Sequence, residues 1–101
     1  MSKLVIASGT FGNYVPEVME ILSNYFTEIK RVKLSNDMSD EEIVNKLKNA
    51  DAVIIGGLGR ISKKVIENMP TLKIIAKHGI GLDNIDVEAA TRHKIPVIYC
   101  R

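Results

Sequence analysis

Five short apolar runs alternate along the chain with four stretches in which apolar residues recur at helical spacing. The runs are Lys3 to Ala7, Ile29 to Leu34, Ala52 to Ile55, Lys73 to Ala76 and Val97 to Tyr99. Leu4-Val5-Ile6 and Val53-Ile54-Ile55 are continuous rather than alternating, the pattern of strands covered on both faces. Ile29-Lys30-Arg31-Val32-Lys33-Leu34 carries more charge, which suits a sheet edge. The first helix is predicted to begin near Tyr14 to Pro16, because proline lacks an N–H and already has a helical φ. Val18, Ile21, Leu22 and Tyr25 recur at helical spacing on one side of it. Ser39 and Glu42 form a capping box ahead of an apolar face of Ile43, Val44 and Leu47. Ser62 is placed to cap a third helix that stops before Pro70, and Asp86 a fourth that ends ahead of Pro96.

Strands alternating with helices at this spacing predict right-handed βαβ units and a parallel sheet. The expected fold is α/β: a flavodoxin-like, doubly wound, five-stranded parallel sheet of order 2-1-3-4-5, one domain over residues 1–101. In that order the topological switch lies between strands 1 and 3, where ligands bind at the strands' C-terminal ends. The loops there are Ser8-Gly9-Thr10-Phe11-Gly12-Asn13 and Gly56-Gly57-Leu58-Gly59-Arg60, with Gly79-Ile80-Gly81 on the same rim. Two glycines flanking one apolar residue let the backbone turn sharply and keep its N–H groups clear of bulky side chains. Such amides hold a small anion, a carboxylate for example, without a charged side chain. Asp83, Asn84 and Asp86 then supply turn and cap chemistry for the next helix.

Composition narrows this picture. The 101 residues suffice for a core without staples, and 46% apolar with 26% charged residues is ordinary for a soluble globular protein. Fourteen basic against twelve acidic residues leave a net charge of +2. The lysines are dispersed rather than massed with aromatics, which argues against nucleic-acid binding. Cys100 is the single cysteine, so no internal disulfide forms and a reducing compartment is expected. No apolar run approaches a membrane span and the N-terminus enters a strand at once. A soluble, cytoplasmic protein with no membrane partner is expected.

Several chemistries fail on inspection. Gly57 and Gly59 fill the first two glycine positions of a dinucleotide fingerprint, but Ser62 stands at the third and Lys77-His78, not an acid, ends the following strand. The first loop matches an FMN phosphate loop only loosely. His78 and His93 have no Cys or carboxylate partner at metal-ligand spacing, so no metal site is expected. His93 suits a helix C-terminus, and His78 borders the glycine turn. No catalytic set of side chains is defensible.

Leu72-Lys73-Ile74-Ile75-Ala76-Lys77-His78-Gly79-Ile80-Gly81-Leu82-Asp83-Asn84-Ile85-Asp86, followed by Glu88-Ala89-Ala90-Thr91 and Ile95-Pro96-Val97, resembles the NAD-dependent D-2-hydroxyacid dehydrogenases, most closely their phosphoglycerate dehydrogenase-like members. Ala50 to Ile55 and Ile61 to Ile66 resemble the preceding unit of that family, so the specific resemblance runs from Ala50 to Val97. It implies the substrate-binding lobe of such an enzyme, with Ile80 and Gly81 beside Gly79 offering backbone amides to the substrate carboxylate. Leu58 and Gly59 fall on the loop lining the same cleft. The ligand implied is a small 2-hydroxy or 2-oxo acid. In the family the nucleotide lobe, with the NAD site and the catalytic Arg, Glu and His, follows this region. The resemblance therefore implies no catalytic residue and no cofactor-binding residue among these 101, and no hydride transfer by the chain alone. Tyr99-Cys100-Arg101 departs from the Thr-Pro-rich turn common in the family.

Four helices for five strands leave one sheet face partly covered beside the first helix, so a homodimer through that face is expected. Two other functions stay open at this point: a free-standing flavodoxin-like module binding FMN, a nucleotide or another anion, and an interaction domain with no ligand.

Overall fold

The computed structural model describes residues 2–8, 16–79 and 84–100, without the side chains of 16–19 and 100. Five parallel strands form one sheet in the order β2-β1-β3-β4-β5. They are β1 (Lys3–Ala7), β2 (Glu28–Arg31), β3 (Ala52–Ile55), β4 (Ile74–His78) and β5 (Val97–Cys100). Between them run α1 (Pro16–Ser23), α2 (Asp40–Lys46), α3 (Lys63–Glu67) and α4 (Val87–Arg92). The doubly wound order expected from the alternation of runs is the order observed.

Alternation along each strand divides the apolar residues between the two faces. Val5, Ala7, Val53, Ile55 and Ile75 face one side, where they pack with Ile43 and Leu47 of the α2 segment, Val65 and Ile66 of α3 and Ala89 and Ala90 of α4. Leu4, Ile6, Ala52, Ile54 and Ala76 face the other and meet Leu22 and Phe26 from α1 and the segment after it. Both faces of β1 and β3 are covered, which is why their sequences are continuously apolar. Strand β2, at the edge, has no fully buried residue.

The caps fall where the sequence places them. The Ser39 hydroxyl accepts the Glu42 N–H and the Glu42 carboxylate accepts the Ser39 N–H, closing the capping box of α2. Ser62 caps α3 through the Val65 N–H, and Asp86 caps α4 through the Ala89 N–H. Strand limits differ more. Strand β2 ends at Arg31 rather than reaching Leu34, although the Val32 N–H still bonds to Ile6. Beyond it the chain dips below the sheet edge, burying Leu34 in the α2–α4 side of the core. Strand β4 begins at Ile74 and continues through Lys77 and His78, because β5 offers partners as far as Cys100. On α1 the helical spacing is present, yet Ile21 and Tyr25 are 55% and 75% exposed, and it is Leu22 with Phe26 that meets the sheet.

Ile43 is fully buried, whereas Ser39 is exposed at a helix end. Replacing Ile43 by Ala is expected to cost about 2–5 kcal/mol of stability and replacing Ser39 by Ala about 1 kcal/mol. Urea denaturation of the two variants checks both the sizes and their order.

Candidate functional site

All five strands point their C-terminal ends at one rim, and β1, β3 and β4 carry the polar chemistry there. Ser8, just past β1, and His78, ending β4, lie on the α1 side of the sheet with β3 between them. Their side chains meet across it, Ser8 Oγ standing 2.7 Å from His78 Nδ1. Gly56 leaves room on the Ser8 side of this contact, since a Cβ there would come within a tight 3.1 Å of Ser8 Oγ. Arg31 donates to the Ser8 carbonyl oxygen at 2.7 Å, tying the end of β2 to the same point.

On the opposite face Lys77 is buried, 4% exposed. Its register partner on β3 is Ile55, which brings the ammonium alongside the loop that follows. Nζ donates to the Gly56 carbonyl oxygen at 2.8 Å and to Asn84 Oδ1 at 2.9 Å. Asn84 in turn donates through Nδ2 to the same Gly56 oxygen at 2.8 Å and to the Gly59 oxygen at 3.3 Å. Among the described residues no carboxylate pairs with Lys77. A buried ammonium needs its donors satisfied, and hydrogen bonds to a charged group contribute about 1.5–3 kcal/mol each. The Gly56–Asn84 arrangement meets that need with neutral acceptors.

The loop from Gly56 to Ile61 is fixed from three further directions. The Gly59 N–H donates to Asn36 Oδ1 at 3.0 Å. Arg60 pairs with Asp40 at the start of α2, NH2 lying 2.9 Å from Oδ1. Ile61 exchanges backbone hydrogen bonds with Asn84 and Asp86 around an isolated parallel bridge to Ile85. Gly59 has φ +80°, and a Cβ on it would sit 2.7 Å from Leu34 Cβ, so close approach and backbone conformation both require glycine there.

A cavity of about 640 Å³ opens beside this loop. Gly56, Gly57 and Leu58 form one wall, Ser8 and His78 another, and Gly79 lies at its margin. Arg31 and Lys33 also border it, and among the described residues no acidic one does, a balance that favours an anion. Among the described residues the backbone N–H groups of Gly57 and Leu58 have no protein acceptor. The cavity therefore combines open amide donors, positive charge and an apolar wall, the combination expected of a site for a small carboxylate with an apolar or polar tail.

Of the residues expected to bind substrate, Leu58 and Gly79 line the cavity, with Leu58 half exposed, and Gly59 lies in the same loop without lining it. Ile80 and Gly81 lie outside the described residues, as do Gly9 to Asn13 of the first loop. Gly59 contributes shape, its N–H being engaged by Asn36. Gly79 has φ +118°, the turn conformation that its position after β4 suggested. Lys77, Ser8 and Arg31 were not singled out in the sequence. A lysine closing the run Ile74-Ile75-Ala76 was the available signal, since lysine seldom ends a buried strand without a role. Among the described residues no three His, Cys, Asp or Glu side chains gather as a metal-binding group. No helix there is long and apolar enough to cross a membrane.

A doubly wound parallel sheet with a cavity at the C-terminal ends of its strands, beside the switch point, defines a class: an α/β domain of the flavodoxin-like kind. The family model for the catalytic domain of D-isomer specific 2-hydroxyacid dehydrogenases matches residues 6–101, and the chain belongs to that family. It is 38% identical over 71 residues to D-3-phosphoglycerate dehydrogenase of Methanocaldococcus jannaschii, covering 70% of this chain and 14% of that protein. It is 37% identical over 84 residues to glyoxylate reductase of Pyrococcus horikoshii, covering 82% of this chain and 25% of that one. The crystal structure of NAD+-bound 3-phosphoglycerate dehydrogenase from Entamoeba histolytica superimposes with a TM-score of 0.75 at 30% identity, covering 97% of this chain and 32% of that one. The chain thus spans well under a third of the first two relatives' length.

The two glycines at 57 and 59 are expected to respond oppositely to substitution. Gly59→Ala, strained in φ and pressed against Leu34, is expected to destabilise by about 1–3 kcal/mol, whereas Gly57→Ala, with nothing within 4 Å of its Cβ, is expected to stay within about 0.5 kcal/mol of the parent. Thermal melts of both variants decide the matter.

Proposed function

We propose that this chain is the substrate-carboxylate-binding lobe of an NAD-dependent D-2-hydroxyacid dehydrogenase, taking a small 2-hydroxy or 2-oxo acid and unable to transfer hydride by itself. The observation that carries this is the cavity lined by Gly57, Leu58 and Gly79, where the Gly57 and Leu58 N–H groups have no acceptor among the described residues and Arg31 and Lys33 stand at the margin. A carboxylate there gains oriented donors and a favourable field at little cost in side-chain ordering. Gly79, Ile80 and Gly81 provide the second set of amides in this reading, and Leu58 packs against the substrate's carbon chain. Membership of the family supports both assignments.

NAD does not fit the glycine loop after β3. A dinucleotide needs a free glycine turn opening a helix and an acid at the end of the next strand. Here the Gly59 N–H is held by Asn36, the N-terminus of the short α3 is capped by Ser62, and β4 ends in Lys77 and His78. The cofactor in this reading belongs to the nucleotide lobe of a full-length enzyme, and the catalytic Arg, Glu and His reside with it. The same features disfavour a free-standing FMN or nucleotide module. A cytoplasmic, reducing setting suits the single cysteine.

Self-association is part of the proposal. Ile98, register partner of Ala76 on the α1 side, is 45% exposed, and Ile21 of α1 and Tyr25 just after it are exposed as well. Apolar area of this kind favours a homodimer through that face. Sedimentation equilibrium is expected to give a dimer at high micromolar concentration, and a well-folded monomer there removes this part of the proposal.

Titration of the chain with pyruvate, NADH and FMN, followed by amide chemical shifts, tests the principal function. Saturable, weak binding of pyruvate centred on Gly57, Leu58 and Gly79 is expected, with no tight binding of either cofactor. Tight NADH or FMN binding replaces the proposal with the free-standing module.

A further inference from the structure

The Gly56 carbonyl oxygen accepts from both Lys77 Nζ and Asn84 Nδ2, each at 2.8 Å. In a trans peptide the C=O and N–H point to opposite sides of the chain, and the described residues contain no cis bond. Drawing the Gly56 oxygen inward therefore turns the Gly57 N–H outward, to the side on which Gly56 and Gly57 line the cavity. An ammonium on a peptide oxygen also polarises that peptide and strengthens its N–H as a donor. Lys77 is 4% exposed and does not itself line the cavity, so it acts without touching a ligand.

The geometry points to Lys77 as a positioning residue that aims and charges the Gly57 amide for anion binding, with Asn84 as its partner. This rests on the carboxylate-binding function proposed above. Asn84 completes the device because its Oδ1 accepts from Lys77 while its Nδ2 holds the Gly56 and Gly59 oxygens. The anion and the ammonium thus sit on opposite ends of one peptide unit. A neutral residue at 77 leaves the loop without its pull, and a carboxylate at 84 cancels the charge while still bonding to the lysine.

Two variants and a pair of matched ligands separate this from a merely structural staple. Pyruvate and pyruvamide have nearly the same shape, but only the first is anionic. The ¹⁵N-labelled chain is titrated with each, following the Gly57 N–H, for the parent, Lys77→Met and Asn84→Asp, with thermal melts reporting whether each variant is folded. The parent is expected to prefer pyruvate. Each folded variant is expected to bind pyruvate roughly tenfold more weakly, on the order of one charge-assisted hydrogen bond, and to bring the pyruvate-to-pyruvamide ratio towards one. A structural staple weakens both ligands in step and leaves the ratio alone. Retention of that ratio in either folded variant overturns the positioning role while leaving carboxylate binding intact. Failure of the parent to bind pyruvate overturns both together.

Discussion

The double hydrogen bond received by the Gly56 carbonyl is the interaction on which the rim of this domain depends. Lys77 reaches it from β4 and Asn84 from the turn before α4, so three separate chain segments are joined at one oxygen. A buried ammonium is tolerated only where acceptors converge on it, and here they do so without a carboxylate. Remove the convergence and the lysine has to leave the interior, taking with it the constraint on the loop from Gly56 to Ile61. The contacts of Gly59 with Asn36, Arg60 with Asp40 and Ile61 with Ile85 hold the same loop, but they fix its far end and outer edge rather than its start.

The sheet makes this convergence possible. Parallel strands bring every C-terminal end to one side, and the order 2-1-3-4-5 places β3 between β1 and β4. Residues at equivalent heights on β1 and β4 are then two strands apart, about 10 Å between backbones. Ser8 and His78 nevertheless meet across β3, and glycine at 56 leaves Ser8 the room that a Cβ would crowd. One face of the Gly56 site thus carries a hydroxyl–imidazole contact and the other the buried Lys77. The loop between them is pinned on both sides, and its Gly57 and Leu58 amides meet no acceptor among the described residues. Preorganised donors cost little to engage, which is how a site with modest charge holds a small anion.

Membership of the D-isomer specific 2-hydroxyacid dehydrogenase family is consistent with a rim of this design. The relatives named D-3-phosphoglycerate dehydrogenase and glyoxylate reductase differ in what their names say they act on, although each matches more than two thirds of this chain. A backbone-based grip suits such variety. In the proposed reading, amides would recognise the carboxylate common to many acids, and the side chains around the cavity, Leu58, Arg31 and Lys33 among them, would meet the remainder of the ligand.

The order of elements, the parallel doubly wound sheet, the caps at Ser39, Ser62 and Asp86, and the meeting of the loop after β3 with Gly79 on one rim were all legible in the amino-acid sequence. These follow from short-range rules: period, cap chemistry and the obligatory crossover between parallel strands. Tertiary structure decided the rest. Helical spacing on α1 gives a stripe but not the face that meets the sheet, so Leu22 and Phe26 pack while Ile21 and Tyr25 stay exposed. Asn84 reads locally as a turn residue, and only the fold brings it to oxygens 28 and 25 residues back along the chain. Ser8 and His78 are 70 residues apart and meet because strand register and a glycine between them allow it. Lys77 follows an apolar run in sequence, and its partners, a backbone oxygen 21 residues away and an amide 7 residues on, are fixed by register and loop path rather than by any local pattern. Long-range hydrogen bonds of this kind leave no periodic trace, because each depends on two segments that only the sheet aligns.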